Sequence, residues 1–98
     1  MEFAMKIPDE MRKKYTERRA RDAEELARAL EAGDFTVLEK VGHQLRGNAA
    51  TFGYEPLAEI GRKMEMAAEK HCSQEAEECL FALKAWVQEQ AFGAGEDG

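Results

Sequence analysis

The sequence contains few of the residues that interrupt helices or staple a small domain. Two prolines and two cysteines occur among 98 residues, and no apolar run approaches the roughly 20 residues that a membrane span requires. Two cysteines do not make the disulfide framework of a small secreted domain. The first residues show no basic segment followed by an apolar one, so we expect no secretory signal and a cytoplasmic protein.

The chain also lacks an excess of positive charge. Fourteen Lys and Arg against 20 Asp and Glu give a formal net charge of −6. Nucleic-acid-binding proteins are normally basic overall, so we expect neither DNA nor RNA as a partner. One basic run is a local exception, which we interpret as a solvated helix face or, alternatively, as a docking patch for an acidic partner. It comprises Arg12, Lys13, Lys14, Arg18, Arg19 and Arg21.

The residues that are present suit one globular domain. Hydrophobic residues make up 44% of the chain and charged residues 35%, which is typical of a folded domain of this length. Apolar residues recur at helical spacing in four segments, and no segment shows the alternation of a half-buried strand. We therefore predict an all-α fold, an antiparallel up-down four-helix bundle.

Capping and breaking residues divide the four predicted helices. Proline favours the first turn of a helix, Asp and Ser favour the cap, and glycine favours the end. The predicted starts are marked by Pro8, Asp34, Pro56 and Ser73, and the predicted ends of the first two helices by Gly33 and Gly53. The resulting division is an N-terminal extension at 1–7, the bundle at 8–92 and a glycine-rich disordered tail at 93–98.

His43 lies on the side of the second predicted helix that faces away from its apolar stripe. At about 100° per residue, Leu38, Val41 and Leu45 occupy one side of this helix, and His43 falls roughly 180° from their centre. A lone histidine is more often structural or incidental than functional. This position argues against a role in the core, so we predict an exposed imidazole.

The neighbours of His43 on the same side are unusual. Arg46 and Gly47 follow it by one turn and Ala50 by two. Glycine inside a helix costs about 1 kcal/mol relative to alanine, so Gly47 is either a tolerated weak position or a source of clearance for another protein. Arg46 places a permanent cation near the ring, suited to the oxygens of a phosphoryl group.

Glu65 is predicted to lie level with His43 on the neighbouring helix. The two residues are at about equal distances from the turn near Gly53, so at ~1.5 Å rise per residue they reach similar heights. A carboxylate that accepts a hydrogen bond from one ring nitrogen leaves the other nitrogen unprotonated and nucleophilic. We therefore hypothesise that Glu65 orients the imidazole.

The segment 43–53, HQLRGNAATFG, resembles the signature of histidine phosphotransfer (HPt) domains. That signature is a histidine, a basic residue three positions on, a glycine four positions on, small residues, and an apolar residue followed by glycine. The ending Thr51-Phe52-Gly53 is especially similar to the phosphotransfer domains of chemotaxis kinases. Glu65 stands where the family has a Gln or Glu that hydrogen-bonds the phosphorylated ring. The resemblance covers about residues 8–90, with two departures: Arg46 replaces the more common lysine, and Asn48 is larger than the usual small residue.

The resemblance implies a phosphocarrier without catalytic activity of its own. His43 would accept a phosphoryl group and pass it to or from a receiver-domain aspartate, with Glu65 orienting the ring and Arg46 balancing charge. The implied partners are a response-regulator receiver domain and a histidine kinase; we expect no cofactor or metal in this chain, Mg²⁺ on the receiver, no membrane contact and a monomer. The residues expected to contact the partner are Gln44, Arg46, Gly47 and Ala50.

The sequence does not fit two other classes of signalling protein. A complete histidine kinase would need an ATP-binding domain besides the four helices, and a receiver domain would need alternating strands and helices. Two alternatives stay open. One is a helical adaptor without phosphate chemistry, with Phe81 and Phe92 as exposed anchors; the other is a metal or redox module built from His71, Cys72 and Cys79, although C-x-x-C spacing and a fourth ligand are missing.

Overall fold

The structure, a computed structural model, describes the backbone of residues 8–96 and the side chains of residues 8–91. It contains four helices, and no strand occurs within residues 8–96, so the predicted all-α class is confirmed. The predicted extension at 1–7 lies outside the described residues. The helices are α1 (Asp9–Ala32), α2 (Phe35–Phe52), α3 (Glu55–Glu69) and α4 (Ser73–Glu96).

The four helices pack as a ring. α1 packs on α2, α2 on α3, α3 on α4, and α4 returns to α1; the closest association is between α2 and α3. The connections at 33–34, 53–54 and 70–72 are too short for anything but a reversal of direction. Neighbouring helices are therefore antiparallel, as predicted. None of the helices within the described part of the chain is both long and apolar enough to span a membrane.

The first two reversals use glycine in a left-handed conformation. Gly33 has φ 69° and Gly53 has φ 82°, values that glycine adopts without the steric cost of a Cβ atom. The side chain of Asp34 then accepts a hydrogen bond from the Val37 N–H at 3.2 Å. The predicted ends of α1 and α2 and the predicted cap of α2 are thus confirmed.

The third reversal contains no glycine. His71 takes the left-handed position with φ 56°, which costs a non-glycine residue of order 1–3 kcal/mol. Its ring stacks on Phe35, with 4.6 Å between centroids and 7° between planes. α4 begins at Ser73 itself, so the prediction that Ser73 caps this helix is wrong. The cap position belongs to Cys72, whose carbonyl accepts from the Ala76 N–H at 3.1 Å.

The core lies between the inward faces of all four helices. Burying an aliphatic or aromatic side chain contributes roughly 1.5–3 kcal/mol, and each helix supplies several. The buried apolar residues are Tyr15, Ala23, Leu26 and Ala29 on α1, Leu38, Val41, Leu45 and Ala49 on α2, Leu57, Ala58, Met64, Ala67 and Ala68 on α3, and Ala76, Cys79, Leu80, Leu83 and Trp86 on α4. Because the apolar side of α2 packs into this core, the opposite side of the helix faces water.

The basic run on α1 is solvated except at one residue. Arg19 is only 7% exposed, which corrects the prediction that the whole run forms a solvated face. Its guanidinium lies 4.4 Å from the centre of the Tyr15 ring, and its Nε donates to Asp22 at 2.7 Å. The aromatic face and the carboxylate replace the water that Arg19 loses.

The last helix is longer than predicted. The glycines at 93 and 95 were predicted to begin a disordered tail, but α4 continues to Glu96. Glycine weakens a helix by about 1 kcal/mol relative to alanine but does not by itself end one. The prediction of a tail beginning at 93 is therefore wrong as far as Glu96, and 97–98 lie outside the described residues.

Candidate functional site

His43 lies near the middle of α2 on its exposed side. Its side chain is 62% exposed, whereas Val41 and Leu45, on the opposite side of the helix, are buried. The predicted exposure of the imidazole is confirmed. A ring in this position can be reached by another protein without any opening of the bundle.

Glu65 reaches this ring from α3. Its Oε2 atom lies 3.1 Å from Nδ1 of His43, so the prediction that the two side chains lie level is confirmed. The Glu65 side chain is only 16% exposed, which limits the competition from water for its oxygens. A carboxylate at this distance accepts from Nδ1–H, and Nε2 then carries the free lone pair.

Arg46 contacts the second oxygen of the same carboxylate. Its Nη1 atom lies 3.3 Å from Oε1 of Glu65, while 45% of the arginine side chain remains exposed. This oxygen is buried and has no aligned hydrogen-bond donor, so the contact is an ion pair without good hydrogen-bond geometry. Glu65 thus bridges the imidazole and the guanidinium, one oxygen to each.

The surface beside the ring is open. Gln44, Gly47 and Ala50 are all exposed, and a Cβ atom placed on Gly47 would meet nothing within 4 Å. No packing requirement explains the glycine at this position. The predicted clearance beside His43 is therefore present, and the residues expected to contact a partner share one surface with the ring.

Sequence analysis missed the two residues that bring α2 and α3 together at this level. Gly42 and Gly61 are both buried, and a Cβ atom on Gly61 would lie 2.5 Å from the backbone nitrogen of Arg46. A signal was available, because each glycine in mid-helix costs about 1 kcal/mol. In the sequence analysis this cost was applied to Gly47 alone. Of Gly42, Gly47 and Gly61, however, Gly47 is the one that faces open space.

Asn48 departs from the usual family pattern for a structural reason. Its Oδ1 accepts a hydrogen bond from the Tyr15 hydroxyl at 2.6 Å and a longer one from Nη1 of Arg19 at 3.4 Å. Burial raises the pKa of the Tyr15 phenol, an effect that Arg19 opposes. A small residue at 48 would leave these two donors on α1 without that acceptor.

The alternative metal site is not assembled among residues 8–91. Cys79 is buried in the core, and burial raises the pKa of its thiol, which opposes the thiolate form that metals bind. His71 is stacked on Phe35. The three residues His71, Cys72 and Cys79 do not bring their ligand atoms together.

Three carboxylates near His43 do approach one another. Glu39, Glu65 and Glu69 each offer an oxygen within 4.8 Å of the others, and carboxylate oxygens are the ligands that Mg²⁺ and Ca²⁺ prefer. Glu65 is already engaged by the imidazole and the guanidinium, so we assign no ion to this group.

The candidate anchors of an adaptor differ in what the structure describes. Phe81 is 75% exposed, in line with its proposed role as a surface aromatic, whereas the side chain of Phe92 lies outside the described residues. A single exposed aromatic is common on folded proteins. Phe81 therefore does not distinguish an adaptor from other bundles.

Together, the fold and this site define a helical bundle that presents the imidazole of His43 to solvent and contacts it with a carboxylate from a neighbouring helix. The family model of the Hpt domain matches residues 10–91. The chain therefore belongs to the Hpt domain family, whose members act in histidine phosphotransfer of two-component signalling. No curated protein and no solved structure gives a significant match to the chain.

Proposed function

We propose that this chain carries a phosphoryl group on Nε2 of His43 and exchanges it with the aspartate of a receiver domain. The observation that supports this most directly is that one nitrogen of the His43 ring is hydrogen-bonded while the ring is exposed to solvent. Its Nδ1 is engaged by Glu65 at 3.1 Å, while 62% of the side chain is exposed. Nε2 is thus the ring nitrogen left available to an external donor.

The transfer balances with the groups at this site. The Nε2 lone pair attacks the phosphorus of the donor, and the bond from phosphorus to the donor oxygen breaks. The leaving group is the receiver aspartate or, with a kinase, ADP. The phosphorylated ring keeps its proton on Nδ1 and is positively charged, and Glu65 balances that charge. Loss of the phosphoryl group to a receiver aspartate runs the same steps in reverse.

Arg46 and its surroundings fit the other needs of the reaction. Phosphoryl transfer depends chiefly on alignment and on stabilisation of charge at the phosphoryl oxygens. Arg46 is near enough to share Glu65 with the ring and exposed enough to turn to a phosphoryl group. Gly47 and Ala50 leave room for the receiver, and Gln44 lies on the same exposed surface. We place the Mg²⁺ on the receiver.

The encounter should be brief. Transient signalling interfaces commonly bury less than about 1,200 Å² in total, and the ring lies on an open surface rather than in a deep cleft. We propose that the chain works as a cytoplasmic monomer with no catalytic activity of its own. The histidine kinase and the receiver would supply the remaining catalytic groups.

A transfer assay tests this function. Receiver domains from the same organism are charged with labelled acetyl phosphate in Mg²⁺ and mixed with the protein. We expect a label that is acid-labile and base-stable, as phosphoramidates are, and that is lost completely in His43→Gln. Spectra of nitrogen and phosphorus in the labelled protein should place the new bond at Nε2.

His71→Gln is the matched control, because it removes the other histidine of the chain. It should be labelled as the wild type is. Label persisting in His43→Gln would identify another acceptor. Absence of label on the wild type with every receiver and kinase tried would overturn the proposal and favour the adaptor, with Phe81 as the first residue to substitute.

A further inference from the structure

α2 and α3 touch through their backbones beside the candidate site. A Cβ atom on Gly61 would lie 2.5 Å from the backbone nitrogen of Arg46 and 2.9 Å from the carbonyl oxygen of Gly42. A Cβ atom on Gly42 would lie 2.9 Å from the backbone nitrogen of Glu65. Contacts this short to backbone atoms cannot be relieved by turning a side chain. At this level the two helices can be this close only because both residues are glycine.

The atoms in this contact belong to the site residues themselves. A Cβ atom on Gly61 would meet the nitrogen and Cα of Arg46, and one on Gly42 would meet the nitrogen of Glu65. Gly42 also directly precedes His43. The glycine pair therefore sets the spacing between the two backbones from which the imidazole and the carboxylate extend. A glutamate side chain has a limited reach, so we expect a wider spacing to lengthen or misalign the 3.1 Å contact between Oε2 and Nδ1.

We infer that Gly42 and Gly61 are positioning residues that hold Glu65 within hydrogen-bond distance of His43 and so select the Nδ1–H tautomer. Which imidazole nitrogen holds the proton is set by the hydrogen bond that the ring makes. The consequence for phosphoryl transfer rests on the proposed function, whereas the consequence for the tautomer does not. The glycine pair thus acts on the chemistry of the ring through helix spacing, without touching the reacting nitrogen.

The tautomer can be measured directly. Two-bond proton–nitrogen spectra at about pH 9, well above the ordinary titration range of imidazole, report the ratio of Nδ1–H to Nε2–H for each histidine. His71 provides an internal reference in the same spectrum. We expect the ratio for His43 to fall about fivefold in Gly61→Ala, as a charge-assisted, partly solvated hydrogen bond is weakened, and to fall less in Gly42→Ala.

Two controls separate positioning from loss of stability. Leu83→Ala opens a cavity on α4 and lowers stability while leaving the glycine contact intact, so the ring signals of its folded state should not move. Gly47→Ala adds the same methyl group to α2 where nothing lies within 4 Å, and its ring signals should also stay. If Gly61→Ala does not fold, the tautomer ratio in Gly42→Ala tests the inference, because the added Cβ atom there is less crowded, at 2.9 Å rather than 2.5 Å from its nearest backbone atom.

A double variant tests whether the effect passes through Glu65. Glu65→Ala alone should shift the ratio, and adding Gly42→Ala should shift it no further. An unchanged ratio in the folded glycine variants, or an equal change in Leu83→Ala, would overturn the inference. The transfer assay then separates the two proposals. If the ratio shifts in the glycine variants but the wild type takes no label, only the proposed function fails. If the wild type is labelled but the ratio does not shift in the glycine variants, only the positioning role fails.

Discussion

The two sides of α2 carry glycines only five positions apart in the sequence, and the structure treats them in opposite ways. Gly42 is packed against the backbone of α3, with no space for even one methyl group, whereas Gly47 faces open solvent. In the inference drawn above, the packed side sets the distance from His43 to Glu65, and in the proposed function the exposed side sets how closely a partner can approach the ring. One helix therefore separates the geometry of the site from its access.

Away from Gly42, substitutions on the two sides are therefore expected to change stability and transfer separately. Packed residues such as Leu45 act on the free energy of unfolding, because they fill the core. Exposed residues such as Gly47 are expected, in the proposed function, to act on the encounter with a partner, because a Cβ atom on Gly47 would meet nothing within 4 Å. Substitutions on the two sides should give different patterns of loss.

Leu45→Ala should produce the largest effect on stability. Removing this fully buried side chain should lower the free energy of unfolding by about 2–5 kcal/mol, as measured in urea through the fluorescence of Trp86, the single tryptophan. The rate of phosphoryl transfer per folded molecule should be unchanged, because Leu45 points away from His43. A folded variant that accepted no phosphoryl group would show that the two sides of α2 are not separate.

Gly47 should give the opposite pattern with a smaller change in stability. Both Gly47→Ala and Gly47→Leu should raise the free energy of unfolding by about 0.5–1 kcal/mol, since glycine is a poor helix former and the space is open. Both should accept phosphoryl groups from a receiver more slowly, with leucine the slower of the two. Ala85→Leu, at an exposed position on α4, is the control for added apolar bulk. Phosphoryl transfer at the wild-type rate in Gly47→Leu would show that the open space at position 47 is not needed by the receiver.

The smallest effect concerns Tyr15, whose hydroxyl ties α1 to the flank of α2 through Asn48. Burial raises the pKa of this phenol above its ordinary value near 10, so the folded state holds the proton more tightly than the unfolded state. The resulting stability is fully present below pH of about 10 and is lost as pH rises through the folded pKa.

Urea unfolding between about pH 8 and pH 11 measures this dependence. The wild type should lose stability at the upper end of the range, and Tyr15→Phe, which has no phenol to titrate, should lose less. Equal slopes in the two proteins would show that the Tyr15 proton is not held more tightly by the folded state.

Local rules were sufficient to predict most of the fold and the centre of the site. Helical periodicity placed the four helices and the exposed side of α2, and the left-handed glycines with the Asp34 cap marked two reversals. The pairing of His43 with Glu65 followed from equal distances to one turn. Each of these inferences needs only spacing along the chain, which the sequence displays directly.

The features that escaped prediction depend on distances between helices. Arg19 is buried because Tyr15 and Asp22 replace its water, and no pattern within α1 distinguishes it from its exposed basic neighbours. The contact between Gly42 and Gly61 exists only once α2 and α3 are packed. His71 supplies the third reversal where glycine was absent, a choice that becomes favourable through the stacked ring of Phe35.

The ion pair between Arg46 and Glu65 has a consequence for how partners distinguish the empty from the loaded domain. While no phosphoryl group is present, the guanidinium of Arg46 is paired with Glu65 at 3.3 Å. In the proposed function, a phosphoryl group on His43 would bring roughly one and a half to two negative charges, which would attract the guanidinium of Arg46. Under that proposal, a partner that docks before transfer would meet the ion pair beside the ring, and one that docks after transfer would meet added negative charge there, so the charge of this surface would differ between the empty and the loaded domain.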